Sequence, residues 1–429
     1  MSHTGMGSTL GVVELPDRGR GLVAQTAIES GEVVLQELPL MLYPQESWRR
    51  SVCSFCLRSL ALAGAAVVAC SSCQHAGYCS QACAAAAAAD PASHSQLVCR
   101  CLAACNMAGL TDEQQTSLHF LLRATSLRQA AAQAGTAGAA PRYAALCSLA
   151  GGAGPAELGS MEVRELHGRL GHALAAAGAA AALPSLQEVG DLLRKEAING
   201  YGIMAPSGPE GERQVRGGGI YPRAALVNHD CLPNLARFDC FDTPAAAAQA
   251  PGANTAIQLR ALHDIPPGEE LTQSYFPLTW HYSERQQRCL EQYGFTCTCP
   301  RCKEEATWQS SDDEGSDEWM TDDEAGKGEG EACGLGEVAE GDADARGLAH
   351  SAVDSAAAAS GTASAAVVKE GPQADAAYIS VFLLKYVCPR PECFGTLAPA
   401  QQGSDTSECN MCGMRRTEAE FLAELQAGQ

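Results

Sequence analysis

The chain has 429 residues, 46% of them hydrophobic, and a formal net charge of −21. That length accommodates more than one domain of the usual ~100–200 residues. So negative a balance, without any Lys/Arg cluster, excludes a broad nucleic-acid-binding surface. The charge is uneven: Asp312 to Asp344 holds fourteen acidic residues and one Lys, a net −13, which leaves the remainder mildly acidic. Much of the hydrophobic content is alanine, in Ala84 to Ala89 and from Ala130 to Ala182. Alanine buries little area, so these runs read as surface helix or filler rather than core. Met1 to Leu10 does not resemble a signal peptide, and no apolar run is long enough to span a bilayer. With 21 cysteines, several in Cys-x-x-Cys pairs, a reducing interior and bound metal are expected rather than disulfides. The expected address is nucleus, cytoplasm or both.

In chain order, Gly11 to Pro39 alternates short β-type runs (Val12–Val13, Leu22–Val23, Val33–Leu35) with glycine turns at Gly19, Gly21 and Gly31. A cysteine-rich insert runs from Cys53 to Cys99. Leu110 to Ala130 follows with helical spacing at Leu118, Leu121, Leu122 and Leu127, and Leu186 to Ala197 is a second helix candidate. Asn199 to Tyr275 returns to short strands, with Ala256–Ala261 and Glu270–Tyr275 flanking a Pro266–Pro267–Gly268 turn. Ser283 reads as the N-cap, and Gly294 as the stop, of one helix. Thr307 to Ala374 is acidic and poor in large apolar residues, the composition of a disordered linker. Ser310, Ser311 and Ser316 are candidate phosphorylation sites in it, and its charge would attract basic substrates.

The chemistry is written in the cysteines. Cys53, Cys56, Cys70, Cys73, Cys79, Cys83, His94 and Cys99 supply eight donors in about fifty residues, enough for two tetrahedral zinc sites. Adjacent pairs could each hold an ion, or alternate pairs could interleave; His75 competes with His94, and Cys101 with Cys99. Zinc would carry the folding energy, ~10–16 kcal/mol per structural site. Cys297, Cys299 and Cys302 lack a fourth donor, for which Cys231 is the best candidate. Such an ion would staple the loop at Asn228–Asn234 to the segment Tyr293–Phe295. Cys388, Cys393, Cys409 and Cys412 form a further site, with Val381–Leu384 and Phe394 placed to pack beside it. The other cysteines (Cys101, Cys105, Cys147, Cys240, Cys289 and Cys333) read as free thiols.

These motifs resemble a known family. Asn228–His229–Asp230–Cys231, Gly268–Glu269–Glu270–Leu271 and Tyr275 look like the signature of SET-domain methyltransferases, and Cys297–Cys302 like their post-SET zinc motif. Arg18–Leu22 and Gly31–Glu32 resemble the opening strands, and the Cys53–Cys99 insert, with Tyr78–Cys79 and its terminal His then Cys, resembles a MYND finger. The likeness to the SET-MYND family covers roughly 11–45, 53–101 and 196–303. Asp230 in place of serine, the His94–Cys99 spacing and the C-terminal cysteines point to its plant-type branch.

By that resemblance the fold is mixed and β-rich: a SET β-clip of short strands with an inserted MYND zinc finger, an α-helical insert and a post-SET zinc site. The expected division is 1–50 (opening strands), 51–101 (MYND), 102–195 (helical insert), 196–280 (catalytic core), 281–305 (post-SET), 306–375 (acidic linker), 376–415 (C-terminal zinc module) and 416–429 (tail). Cys53, Cys56, Cys79 and Cys83 would hold one ion, and Cys70, Cys73, His94 and Cys99 the other. Asn228 and His229 would bind S-adenosylmethionine, Arg18 and Asn199 contact it, and Phe295 pack on its adenine. Tyr275 and Tyr293 would line a lysine channel, Tyr275 being the catalytic tyrosine; Arg20 stands where the family often has a cofactor-binding asparagine. The expected activity is lysine methylation of histone or other proteins, with a proline-containing peptide as the MYND partner and neither nucleic acid nor membrane. The rival from another class is a zinc-built scaffold with an inactive SET domain.

Overall fold

The computed structural model describes residues 9–63, 67–133, 136, 138–151, 160–205, 214–239, 241–242, 252–312 and 374–427. One compact unit is made by Met1–Ala306 with Val368–Gln429, and Thr307–Val367 make a second. Most of the acidic stretch, with Ser316, Cys240 and Cys333, lies outside the described residues. Thr307–Asp312, expected to begin the linker, instead complete the helix Pro300–Asp312. No helix among the described residues is long and apolar enough to cross a membrane.

The strands come first. Strands β1 (Leu10–Leu15) and β2 (Gly19–Ala24) form an antiparallel hairpin. β3 (Val33–Glu37) is followed by β4 (Met41–Pro44), and β5 (Val68–Ala69) pairs with β6 (Gly77–Tyr78) inside the cysteine-rich insert. Helices α1 (Gln81–Ala89), α2 (Gln96–Ala104), α3 (Asp112–Ala132), α4 (Ala139–Cys147), α5 (Met161–Ala176) and α6 (Leu186–Asn199) come next. Local chemistry starts two of them. The Gln114 N–H donates to Thr111 Oγ1 while the Thr111 N–H donates to Gln114 Oε1, and Ser185 and Glu188 repeat the arrangement at α6.

The alanine-rich region is not filler. Val163, Leu166, Leu170, Ala173, Leu174 and Ala177 join Leu118, Leu121, Leu122 and Leu127 in one buried core. Small side chains let α5 lie close to its neighbours, so alanine contributes by what it permits rather than by the area it buries.

After α6 the chain returns to strands β7 (Gly200–Met204), β8 (Val215–Ile220), β9 (Asn228–His229), β10 (Leu235–Asp239), β11 (Ile257–Ala261) and β12 (Thr272–Gln273). Two three-stranded sheets result, in the orders β4-β8-β7 and β10-β11-β3, with β9 and β12 as a separate parallel pair. Leu22, Ile28, Leu35, Ile203, Tyr221, Ile257, Leu259 and Leu271 fill the core between them. Gly218 in β8 is there for space: a Cβ on it would lie 2.3 Å from the Tyr43 ring.

Helix α7 (Tyr282–Arg288) begins two residues earlier than expected. His281, not Ser283, is its N-cap residue, because the Glu284 carboxylate reaches back to accept the His281 N–H at 2.8 Å. A π-helical turn, Cys289–Tyr293, follows and Gly294 ends it in the left-handed conformation. After α8 (Pro300–Asp312), the C-terminal part holds α9 (Ala376–Tyr386), β13 (Leu397–Pro399), β14 (Thr406–Cys409), β15 (Arg415–Thr417) and α10 (Glu418–Ala427). Phe382 and Tyr386 of α9 pack on Ala236, Phe238, Leu262 and Leu278. Phe394, expected to pack, is 59% exposed, and Val381 and Leu384 also face solvent. The helix turns its 382/386 stripe, not its 381/384 stripe, to the sheet. Gly31 (φ +81°) meets this part so closely that a Cβ would lie 2.3 Å from the Gln401 carbonyl oxygen. The Gly403 N–H donates to Ser30 O, and Asn410 Nδ2 to Arg237 O at 2.8 Å.

Candidate active site and metal centres

The parallel pairing of β9 with β12 places Asn228 opposite Thr272 and His229 opposite Gln273, and the Asp230 N–H extends it to Gln273 O at 3.0 Å. Two segments more than forty residues apart thus cross at one point. Asn234 locks the crossing: its Oδ1 accepts the Thr272 N–H at 2.8 Å and its Nδ2 donates to Glu270 O at 2.8 Å. On the other side, Glu270 accepts from Arg18 Nη1 (2.8 Å) and Asn228 Nδ2 (2.9 Å), and Arg18 Nη2 donates to His229 O (2.6 Å). Burial pushes the Glu270 carboxyl up, against the pull of Arg18 and the Asn228 amide.

Aromatic rings line this crossing. The Tyr275 ring lies 4.8 Å from Tyr293 and 5.2 Å from His229, and Phe295 lies 6.3 Å from both His229 and Tyr293. The Tyr275 hydroxyl donates to Val227 O at 3.2 Å. Burial, with Tyr201 and Tyr293 nearby, raises its pKa far above the ordinary phenol value, so it is a neutral hydroxyl and not a base. Asn199 is buried, its Nδ2 donating to Ala150 O (2.8 Å) and Lys195 O (2.7 Å). Arg20 turns to the Ser148 carbonyl, beside the Leu149 carbonyl held by Lys195.

Four sulfur-rich groups complete the picture, each with all donor atoms within 4.8 Å of one another: Cys53, Cys56, Cys79 and Cys83; Cys70, Cys73, His94 and Cys99; Cys231, Cys297, Cys299 and Cys302; Cys388, Cys393, Cys409 and Cys412. Sulfurs bound to zinc at ~2.3 Å in a tetrahedron are about 3.8 Å apart. The separations fit: 3.7 Å for Cys56–Cys79, 3.6 Å for Cys70–Cys99, 3.6 Å for Cys231–Cys302 and 3.7 Å for Cys393–Cys409. His94 points Nε2 at Cys73 Sγ, 3.4 Å away. Burial first, then Arg123 and His119, lowers its pKa to about 4, which keeps the imidazole neutral as ligation requires. The interleaved grouping of the first eight donors is the one found, and Cys101 instead sits in the helical core.

Sequence reasoning did not single out Arg285, Tyr201 or Gln273. Gln273 donates to the Tyr201 hydroxyl at 2.7 Å behind Tyr275, and Arg285 is wholly buried against the Cys231 group. The available signal was position, since Gln273 lies only two residues before Tyr275 and ends β12 beside it. For an arginine in a short polar helix there was none.

A family model, the SET domain, matches residues 19–276, more than half of the chain. Histone-lysine N-methyltransferase ASHR2 of Arabidopsis thaliana is 32% identical over 440 residues, covering 94% of this chain and 94% of its own. Human histone-lysine N-methyltransferase SMYD3 is 27% identical over 288 residues, which cover 67% of this chain and 59% of that protein. A solved SET domain of LSMT, bound to lysine and AdoHcy, covers 68% of this chain and 54% of its own at 12% identity and a TM-score of 0.34. From the matched model and the full-length likeness, the chain belongs to the SET-MYND family of SET-domain protein lysine methyltransferases.

Proposed function

We propose that the chain methylates lysine side chains of histone or other proteins, using S-adenosylmethionine, at the crossing of β9 and β12. Arg18, Asn199, Asn228, His229 and Phe295 would hold the nucleoside, and Tyr275 and Tyr293 would line the lysine channel. The supporting observation is the convergence of Asn228, His229, Tyr275, Tyr293 and Phe295 on that crossing, with aromatic faces and a fixed hydroxyl in one place.

When bound, S-adenosylmethionine supplies a sulfonium methyl open to displacement by an amine. Everything else falls to the protein. Tyr275 and Tyr293 exclude water from the lysine side chain, which disfavours its ammonium form and lowers its pKa. The Tyr275 hydroxyl, its proton committed to Val227 O, leaves its oxygen to orient the amine. As a phenol with a raised pKa it stays protonated and does not serve as the base, so the lysine gives up its proton to solvent before its side chain fills the channel.

The same reading assigns a structural zinc ion to each of the four donor groups. Four protein ligands leave no open position on a tetrahedral ion, so these ions staple rather than react. Zinc thiolates need a reducing compartment, which supports a nuclear or cytoplasmic address. The MYND partner in this reading is a proline-containing peptide. Methyl transfer from labelled S-adenosylmethionine to histones and cell extract, wild type against Tyr275→Phe, tests the proposal. Transfer by wild type and its loss in the variant are expected; no transfer, with no cofactor uptake by calorimetry, would sink it.

A further inference from the structure

Arg285 lies in α7 with its guanidinium wholly buried. Its Nε points at Cys231 Sγ (3.3 Å), its Nη2 at Cys302 Sγ (3.7 Å), and its Nη1 donates to Trp280 O (2.6 Å). Glu305 accepts from Arg285 and also from Arg301 Nε at 2.6 Å, and Arg301 Nη1 donates to Leu278 O. Four thiolates outweigh the charge of one divalent ion, so a closed Cys231–Cys297–Cys299–Cys302 site is a buried anion. An anion there needs a cation and N–H donors beside it. Arg285 is both.

Cys231 has a second neighbour. The Tyr275 N–H donates to His229 Nδ1 at 3.2 Å, so the ring proton sits on Nε2, which lies 3.2 Å from Cys231 Sγ and donates to it. The chain of contacts therefore runs from Arg285 through Cys231 and His229 to the backbone of Tyr275. Each link is a directed hydrogen bond. Through these bonds a shift of the Cys231 sulfur would turn the His229 ring and move the backbone of Tyr275.

We propose that Arg285 is a positioning residue for methyl transfer: it anchors the Cys231 corner of the metal site and, through the His229 ring, sets the placement of Tyr275. This rests on the functional reading above and on zinc at that site. Partners behind metal ligands typically govern affinity or activity by about 10–100-fold.

The test compares full-length wild type, Arg285→Gln, Arg285→Lys and Glu305→Gln. Measured are zinc release under a thiol-blocking reagent, S-adenosylmethionine affinity, and kcat and KM for a lysine peptide. In Arg285→Gln one zinc equivalent should leave about 10–100-fold faster, with kcat reduced by a like factor and peptide KM unchanged. Arg285→Lys keeps the charge but cannot span two sulfurs, and should fall between; it carries the test if Arg285→Gln does not fold. Glu305→Gln, which keeps the N–H···S contacts, should release zinc at the wild-type rate. Wild-type release and kcat in Arg285→Gln would overturn the proposal. So would a Glu305→Gln variant that reproduces the arginine loss, because packing of α8 would then be the cause. The zinc-release arm needs no activity, so failure of the methyltransferase reading is seen separately, in a wild type that binds no S-adenosylmethionine.

Discussion

Replacing Phe382 by alanine tests whether the C-terminal zinc module is part of the catalytic body or a tethered appendage. Phe382 is 5% exposed, packs with its ring centroid 4.7 Å from that of Tyr386 at a tilt of 56°, and shares a core with Ala236, Phe238, Leu262 and Leu278. A phenylalanine truncated in such a core costs about 3–5 kcal/mol, transfer and cavity terms together. For a chain of 429 residues that lowers Tm by roughly 3–6 °C. The loss should be felt beyond the module. The Leu262 N–H donates to Asn234 O, and the Asn234 side chain locks the β9–β12 crossing. Calorimetric unfolding of wild type and Phe382→Ala, with S-adenosylmethionine titrated into both, measures the two effects. A Tm change of only a degree or two, with unchanged cofactor affinity, would mean that α9 does not pack on the sheet through Phe382.

Three further outcomes are expected. Because burial raises the Tyr275 pKa, the phenol persists through the pH at which an ordinary tyrosine ionises, ~10; kcat/KM should rise with pH as the lysine loses its proton and show no descending limb below that value. A fall centred near pH 9 would contradict it. Cys231→Ser should lower the zinc content by one equivalent and abolish methyl transfer while the Cys53–Cys99 module keeps its metal, read by metal analysis and single-turnover assays; full activity would exclude Cys231 as a ligand. Gly218→Ala should cost about 1–3 kcal/mol or more, since the new methyl overlaps the Tyr43 ring. Denaturant titration measures it, and a neutral result would mean that β8 and Tyr43 are not in contact.

What could be read from the sequence divides along physical lines. Cys-x-x-Cys pairs are local, so each was legible as half of a zinc site; which halves share an ion depends on the fold, and only the likeness to MYND fingers gave the interleaved grouping. Cys231 could be reached from 66 residues away because three donors are an incomplete set. The stretch around Leu118–Leu127 was legible by the spacing of its leucines, and it forms the helix Asp112–Ala132, in which residues 118–127 are buried on every face. The alanine-rich helices were not legible, since a methyl group gives the same weak signal on a surface as in a tight helix–helix seam. Phe394 was misread because a hydrophobic side chain near a metal site has no periodicity to say which way it points. Arg285 was invisible for the opposite reason: in a polar helix an arginine reads as solvated, and only the tertiary fold brings thiolates to it.

Gly31 and Ser30 touch Gln401 and Gly403, about 370 residues further along the chain. During synthesis the loop before β3 therefore waits, uncovered, until the segment 401–403, some 370 residues later, has left the ribosome. Products truncated before α9 would leave that loop and the apolar face of β10–β11 on which α9 rests open to water.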